Sequence, residues 1–167
     1  MIIEKWKKED WEKGKLGYPI SDEIIKGNNS VQMFEFGAII SSHASPYQVI
    51  YNSFREPGGI YTKWKQIGGL TAPIGFLVIP NKNYPKMFRY HFAEFSKGYI
   101  YENPKLIVNN QITAFVILKG PIFDYYAKKG WEAGSLGFPI SDESKTSDGT
   151  IYQNFERGTI YYSKTLG

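Results

Sequence analysis

The chain has 167 residues, 42% hydrophobic and 17% aromatic, enough apolar material for a buried core within one domain. No apolar run approaches 18 residues and Met1-Ile-Ile-Glu-Lys-Trp lacks a signal peptide's apolar stretch, so neither a membrane-crossing helix nor a leader is expected. The absence of cysteine excludes disulfides and thiolate metal sites, and the net charge of +4 is modest.

In the opening segment, Ile2 and Trp6 share one face at helical spacing, which predicts a helix of about two turns. Asp10 stands at its stop and is a residue that tolerates left-handed backbone. Trp11 follows directly. Gly14-Lys-Leu-Gly-Tyr-Pro19 then reads as an irregular turn: glycine frees φ, proline fixes it, and the residue before proline is pushed to extended geometry. Gly17 is expected at positive φ and Leu16 inward. Beyond Ser21-Asp22-Glu23, the stretch VQMFEFGAIISS (31–42) reads as strand interrupted by Gly37, a hairpin or bulge, with a further strand over Tyr47–Tyr51.

The same order returns in degraded form. Ile60 and Trp64 predict a second helix, Gly68 its stop, and Ile74-Gly75-Phe76 the turn, with Leu77 in the proline position and Ile79-Pro80-Asn81 in place of Ser-Asp-Glu. The insertion NKNYPKMFRYHF (81–92) interleaves bases with aromatics, a pattern that can stack on single-stranded nucleic acid. No nucleic-acid-binding signature accompanies it, so a solvated loop is the preferred reading. Phe95-Ser-Lys-Gly98-Tyr-Ile-Tyr101 and Ala114–Leu118 supply strands. Residues 50–116 hold Arg55, Lys63, Lys65, Lys82, Lys86, Arg89, Lys97 and Lys105 against Glu56, Glu94 and Glu102, so the whole positive excess lies there.

A third helix starts at Pro121, with Ile122, Tyr125 and Tyr126 on one face and Gly130 as its stop. Next, WEAGSLGFPISDE at Trp131–Glu143 reproduces WEKGKLGYPISDE at Trp11–Glu23, differing only at Lys13/Ala133, Lys15/Ser135 and Tyr18/Phe138. QNFERGTIY (153–161) then matches QMFEFGAII (32–40). The chain is thus an array of units over 1–49, 50–116 and 117–167, the middle one divergent. A short hairpin cannot bury its apolar face alone. The expected architecture is therefore α+β: three pseudo-symmetric helix-plus-antiparallel-β units packed as one propeller-like or ring-like domain.

The ordered set of Trp or Tyr, Gly-x-Leu-Gly-x-Pro, Ser-Asp-Glu and Phe-Glu-x-Gly-x-Ile-Tyr resembles the LGFP repeat. Leu136–Pro139 is literally LGFP and Leu16–Pro19 is LGYP. The resemblance covers essentially the whole chain, specifically in the outer units and weakly in the middle one. It implies a secreted or wall-associated bacterial module, propeller-like when assembled. Such modules are often appended to a hydrolase or acyltransferase and attach it to cell-wall polysaccharide.

The side-chain chemistry agrees with a non-catalytic role. His43 and His91 lie in different units without a repeated serine or carboxylate partner, so a Ser-His-Asp arrangement has no support. The adjacent acids Asp22-Glu23 and Asp142-Glu143 do not face each other across a bond as glycoside hydrolysis requires. Asp142, Glu143 and Asp148 lack calcium-loop spacing and suit a local turn, so no metal and no cofactor is expected. Aromatic rings, with a large apolar face and a polar handle, suit sugars. Trp6, Trp64 and Tyr126 fall at the inward helical position and read as core. Trp11 and Trp131, absent from the middle unit, are the candidate platforms, with core packing as the competing reading. Tyr101, Tyr161 and Tyr162 end strands near unit boundaries, where Glu35, Glu156 and the two Asp-Glu pairs can accept sugar hydroxyls. Repetition favours polysaccharide through avidity, and the basic centre favours an anionic one. The alternative is a protein–protein or structural repeat using the same seams.

Overall fold

A computed structural model describes residues 2–42, 45–51, 59–78 and 91–163. Among these residues are three helices, α1 (Ile2–Lys8), α2 (Ile60–Gln66) and α3 (Pro121–Lys128), each followed by a 3-10 turn, at Trp11–Lys13, Gly69–Thr71 and Trp131–Ala133. Between them run β1 (Ile24–Lys26), β2 (Asn29–Phe34), β3 (Gly37–Ser42), β4 (Ser45–Tyr51), β5 (Phe92–Phe95), β6 (Gly98–Val108), β7 (Gln111–Leu118), β8 (Ser144–Lys145), β9 (Ile151–Phe155) and β10 (Gly158–Tyr162). They form three antiparallel sheets, ordered β1-β2-β3-β4, β5-β6-β7 and β10-β9-β8. The class is α+β. Each sheet is open among the described residues, so the expected propeller-like closure is not displayed. No described helix is long and apolar enough to cross a membrane.

All three units share one backbone frame. The interrupting glycine closes a hairpin with a two-residue loop, pairing Phe34 with Gly37, Phe95 with Gly98 and Phe155 with Gly158. The Leu-Gly turn is laced to that loop by backbone bonds. Phe36 N–H donates to Leu16 O and Glu35 N–H to Tyr18 O; Lys97 and Ser96 repeat this on Ile74 and Phe76, and Arg157 and Glu156 on Leu136 and Phe138. Pro19, Leu77 and Pro139 each bridge the phenylalanine of the facing strand. The middle unit therefore keeps the frame although its proline is gone.

The backbone conformations follow the predicted turn chemistry and exceed it. Gly17, Gly75 and Gly137 lie at φ +71°, +83° and +73°, where a Cβ is strained. The helix stops at Asp10, Gly68 and Gly130 are left-handed. So are the next residues, Trp11 (φ 51°), Gly69 (φ 57°) and Trp131 (φ 57°). Two tryptophans thus hold a conformation that glycine holds in the middle unit.

Packing explains why the units depend on each other. In the first hairpin, Val31 and Ile40 are cross-strand partners and share a buried cluster with Tyr61 and Trp64 of α2. In the second, Phe92 and Tyr101 pair and share a cluster with Tyr126 of α3, whose ring lies 5.9 Å from Tyr101. Each hairpin is the seat for the next unit's helix. On α3, Ile122 and Tyr126 are buried as expected, but Tyr125 is exposed, because the buried stripe is the i, i+4 pair and Tyr125 lies one residue off it. Leu16 and Ile74 point inward as expected, and Trp64 and Tyr126 are core. The interleaved basic insertion lies outside the described residues except for His91 and Phe92.

Candidate functional site

The Leu-Gly turns fix the glutamates expected near ligand. Glu35 Oε2 accepts the Tyr18 amide at 3.0 Å and Glu156 Oε2 the Phe138 amide at 3.2 Å. Each carboxylate lies over the anchor glycine, where a Cβ on Gly17 or Gly137 would collide with it. On the other side, Trp6 Nε1 donates to Gly17 O at 3.2 Å and the Tyr126 hydroxyl to Gly137 O at 2.9 Å. Burial raises the Tyr126 pKa far above that of an ordinary phenol and keeps it a neutral donor. Glu35 and Glu156 therefore secure a turn. Glu156 is further engaged by Lys105, 3.2 Å away, across the joint.

The two Ser-Asp-Glu turns are clasped alike. Ser21 Oγ accepts the Met33 amide and Ser141 Oγ the Asn154 amide, both at 3.0 Å, while the Gln32 and Gln153 side chains donate to the Ser21 and Ser141 carbonyls. Their acids then diverge. Asp142 Oδ1 accepts the Val116 amide at 2.8 Å, Glu143 Oε1 accepts the Leu118 amide at 3.2 Å, and Gln153 donates to Val116 O at 2.9 Å. These three side chains cover the edge of β7 that β6 leaves free. Asp142 also meets Lys63 of α2 at 2.5 Å. Glu143 is half-buried, and desolvation raises its pKa against the lowering effect of the Leu118 amide. Asp22 and Glu23 in the first unit are exposed.

The aromatic candidates separate in the same way. Tyr101, expected at the ligand surface, is 2% exposed and belongs to the core; α3 sits on it. Trp131 is half-buried against Phe123 (5.0 Å) and Tyr126 (5.6 Å). Trp11 is 37% exposed and stands edge-on to Trp6 at 4.9 Å. Tyr162 is half-buried in the same cluster as Trp131, whereas Tyr161 is 65% exposed. Tyr161 stacks on Tyr152, centroids 5.8 Å apart and rings 28° from parallel. Tyr152 was not among the sequence candidates. The Phe155–Gly158 loop makes it the cross-strand partner of Tyr161, so counting outward from that loop identifies it. The pair stands where Phe92 and Tyr101 stand in the second unit, and no described helix covers it.

Two further features bear on the surface. A cleft of about 250 Å³, lined by Thr62, Lys63, Gln66, Asn109, Gln111 and Thr113 among others, lies between α2 and the β6–β7 hairpin, and none of the predicted site residues lines it. At the joint between the second and third units, His91 is edge-on to Phe138 at 5.4 Å, and the buried Glu132 Oε2 has no hydrogen-bond partner among the described residues. Desolvation raises the Glu132 pKa, with His91 opposing the shift. Asp148 accepts bonds from Thr146 and Thr150 in an exposed local turn, and its pKa is lowered by them. His43 lies outside the described residues.

The LGFP repeat family model matches residues 16–71 and 136–167, over half of the chain. The repeat is a non-catalytic one, found in cell-wall-associated proteins. No curated protein matches the chain.

Proposed function

This chain belongs to the LGFP repeat family, and we propose that it serves as a non-catalytic carbohydrate-binding module attaching to polysaccharide at the bacterial cell wall. The observation that carries this reading is the Tyr152–Tyr161 stack, in which Tyr161 is 65% exposed and Tyr152 is half-buried. It offers a broad apolar face with two hydroxyls in the position that other units fill with a neighbouring helix. Tyrosine rings lose little conformational entropy on contact, and a sugar presents the matching apolar and hydroxyl faces. Trp11 supplies a second, smaller aromatic surface in the first unit, and several weak contacts along one polymer sum through avidity. The expected setting is extracellular, with the module associated with a wall-acting hydrolase.

The test is retention on insoluble wall polysaccharide at low and high salt beside a glycan array. Retention lost on Tyr152→Ala and Tyr161→Ala supports the reading, and salt sensitivity marks the glycan as anionic. Retention unchanged in the double variant removes the stack from the binding surface.

A further inference from the structure

The third unit shows what a Ser-Asp-Glu turn of this repeat holds: a strand edge. Asp142 and Glu143 take the Val116 and Leu118 amides, Gln153 donates to the Val116 carbonyl, and Lys63 pairs with Asp142. The first unit carries the same device up to the same point. Ser21 and Gln32 brace the turn with the bonds that Ser141 and Gln153 make, and Asp22 and Glu23 project from it with no partner among the described residues.

The surroundings differ in a direction that points to a missing neighbour. Ile24 and Ile25 of β1 are 51% and 72% exposed where the third unit has Ser144 and Lys145. Tyr18 is 59% exposed, whereas its counterpart Phe138, covered by His91 and Lys105 of the second unit, is 8% exposed. An edge strand bearing two bare isoleucines is a template for pairing, and most proteins blunt such an edge with charge. Here Lys26 is the strand's one charge, and two bare isoleucines precede it beside two acids with no partner among the described residues.

We infer that Asp22, Glu23 and Gln32 form a clamp for the free edge of a β-strand from another polypeptide. The occupant has the chemistry of β7: two N–H groups and a carbonyl along one edge, spaced as on Val116 and Leu118, apolar side chains to cover Ile24 and Tyr18, and a basic group in the place of Lys63. Two carboxylate-to-amide bonds hold the edge, and the acidic pair selects a basic partner. This surface lies on the first unit and the tyrosine stack on the third, so the two are tested separately.

The experiment titrates a peptide of residues 109–119, with two lysines added at its N-terminus for solubility, into the ¹⁵N-labelled full chain. The expected result is shift changes at residues 20–26 and at Gln32, with residues 141–145 unmoved because their strand is already in place. N-methylation of the peptide nitrogen corresponding to Val116 weakens binding at least about tenfold, since it deletes the donor that the aspartate needs. Asp22→Ala with Glu23→Ala does the same while the rest of the spectrum is unchanged. Self-association of the chain that this double variant disperses identifies the donor of the strand as a second copy. Absence of shifts at millimolar peptide, or binding indifferent to both N-methylation and the double variant, overturns the clamp.

Discussion

Asp142 and Lys63 meet at 2.5 Å across the joint between the second and third units, and the other oxygen of that carboxylate holds the Val116 amide. The ion pair itself is partly exposed and adds little. The amide matters more, because removing its acceptor leaves a strand donor unpaired. Asp142→Ala is expected to cost about 1–2 kcal/mol in urea unfolding. Asp22→Ala, the same letter in an uncovered unit, is expected to stay within about 0.5 kcal/mol of the parent. Equal losses at the two sites would mean that the joint bond contributes nothing.

The turn glycines serve two different physical needs. Gly137 is required by its φ of +73°, and Gly137→Val should cost about 1–3 kcal/mol through backbone strain and displacement of Glu156. Gly134 has an ordinary φ of −81°, but a Cβ there would drive into the Lys129 carbonyl, which is backbone and cannot swing away. Even Gly134→Ala should therefore cost about 2–3 kcal/mol, a penalty of the overpacking kind. The middle unit shows the way out: Ala72 stands in this position at φ −58°, ψ 140°. A Gly134→Ala chain as stable as the parent would show that the third unit can make the same shift.

Glu132 gives the joint a pH dependence. Its pKa is raised by burial, so between the ordinary glutamate value and the raised one the folded state binds more protons than the unfolded state. Stability therefore falls as pH rises through that window, and it is highest on this account below the ordinary value. Glu132→Gln removes the buried charge and should raise the melting temperature at pH 7, with the difference from the parent vanishing near pH 4. A gain that persists undiminished at pH 4 would trace the effect to packing instead.

Deleting residues 117–167 is expected to unfold the remainder, which fits the way each unit covers the one before it. Tyr101 loses α3, and the β7 edge loses Asp142, Glu143 and Gln153 together. A dispersed amide spectrum from the shortened chain would show the first two units to be self-sufficient.

The repeat, the short helices, their stops and the hairpins were legible in the sequence because each rests on local backbone chemistry, glycine and proline above all. The joints were not legible, since there one letter has two fates. Tyr101 and Tyr161 occupy the same position of successive units; α3 buries one and no described helix covers the other. Ser-Asp-Glu likewise reads the same in both copies, and only the presence of a strand beside it decides what the acids do. The long β6–β7 hairpin also went unread, although Asn109 and Asn110, both at positive φ, are a two-residue turn signal.

The strained tryptophans provide the last test. Trp11 and Trp131 both sit at positive φ, yet Trp131 lies among Phe123, Tyr126 and Tyr162 while Trp11 leans on Trp6 and faces solvent over more than a third of its surface. Removing a half-buried ring loses its contacts, so Trp131→Ala should cost about 2–3 kcal/mol, whereas Trp11→Ala should cost roughly half as much. In polysaccharide retention per folded molecule the order is expected to reverse, with Trp11→Ala and Tyr161→Ala losing binding and Trp131→Ala keeping it. Parallel thermal melts and retention assays on the three variants separate the two roles. If Trp131→Ala abolishes retention at full stability, the platform belongs beside the helix stop and the tyrosine stack is not the main contact.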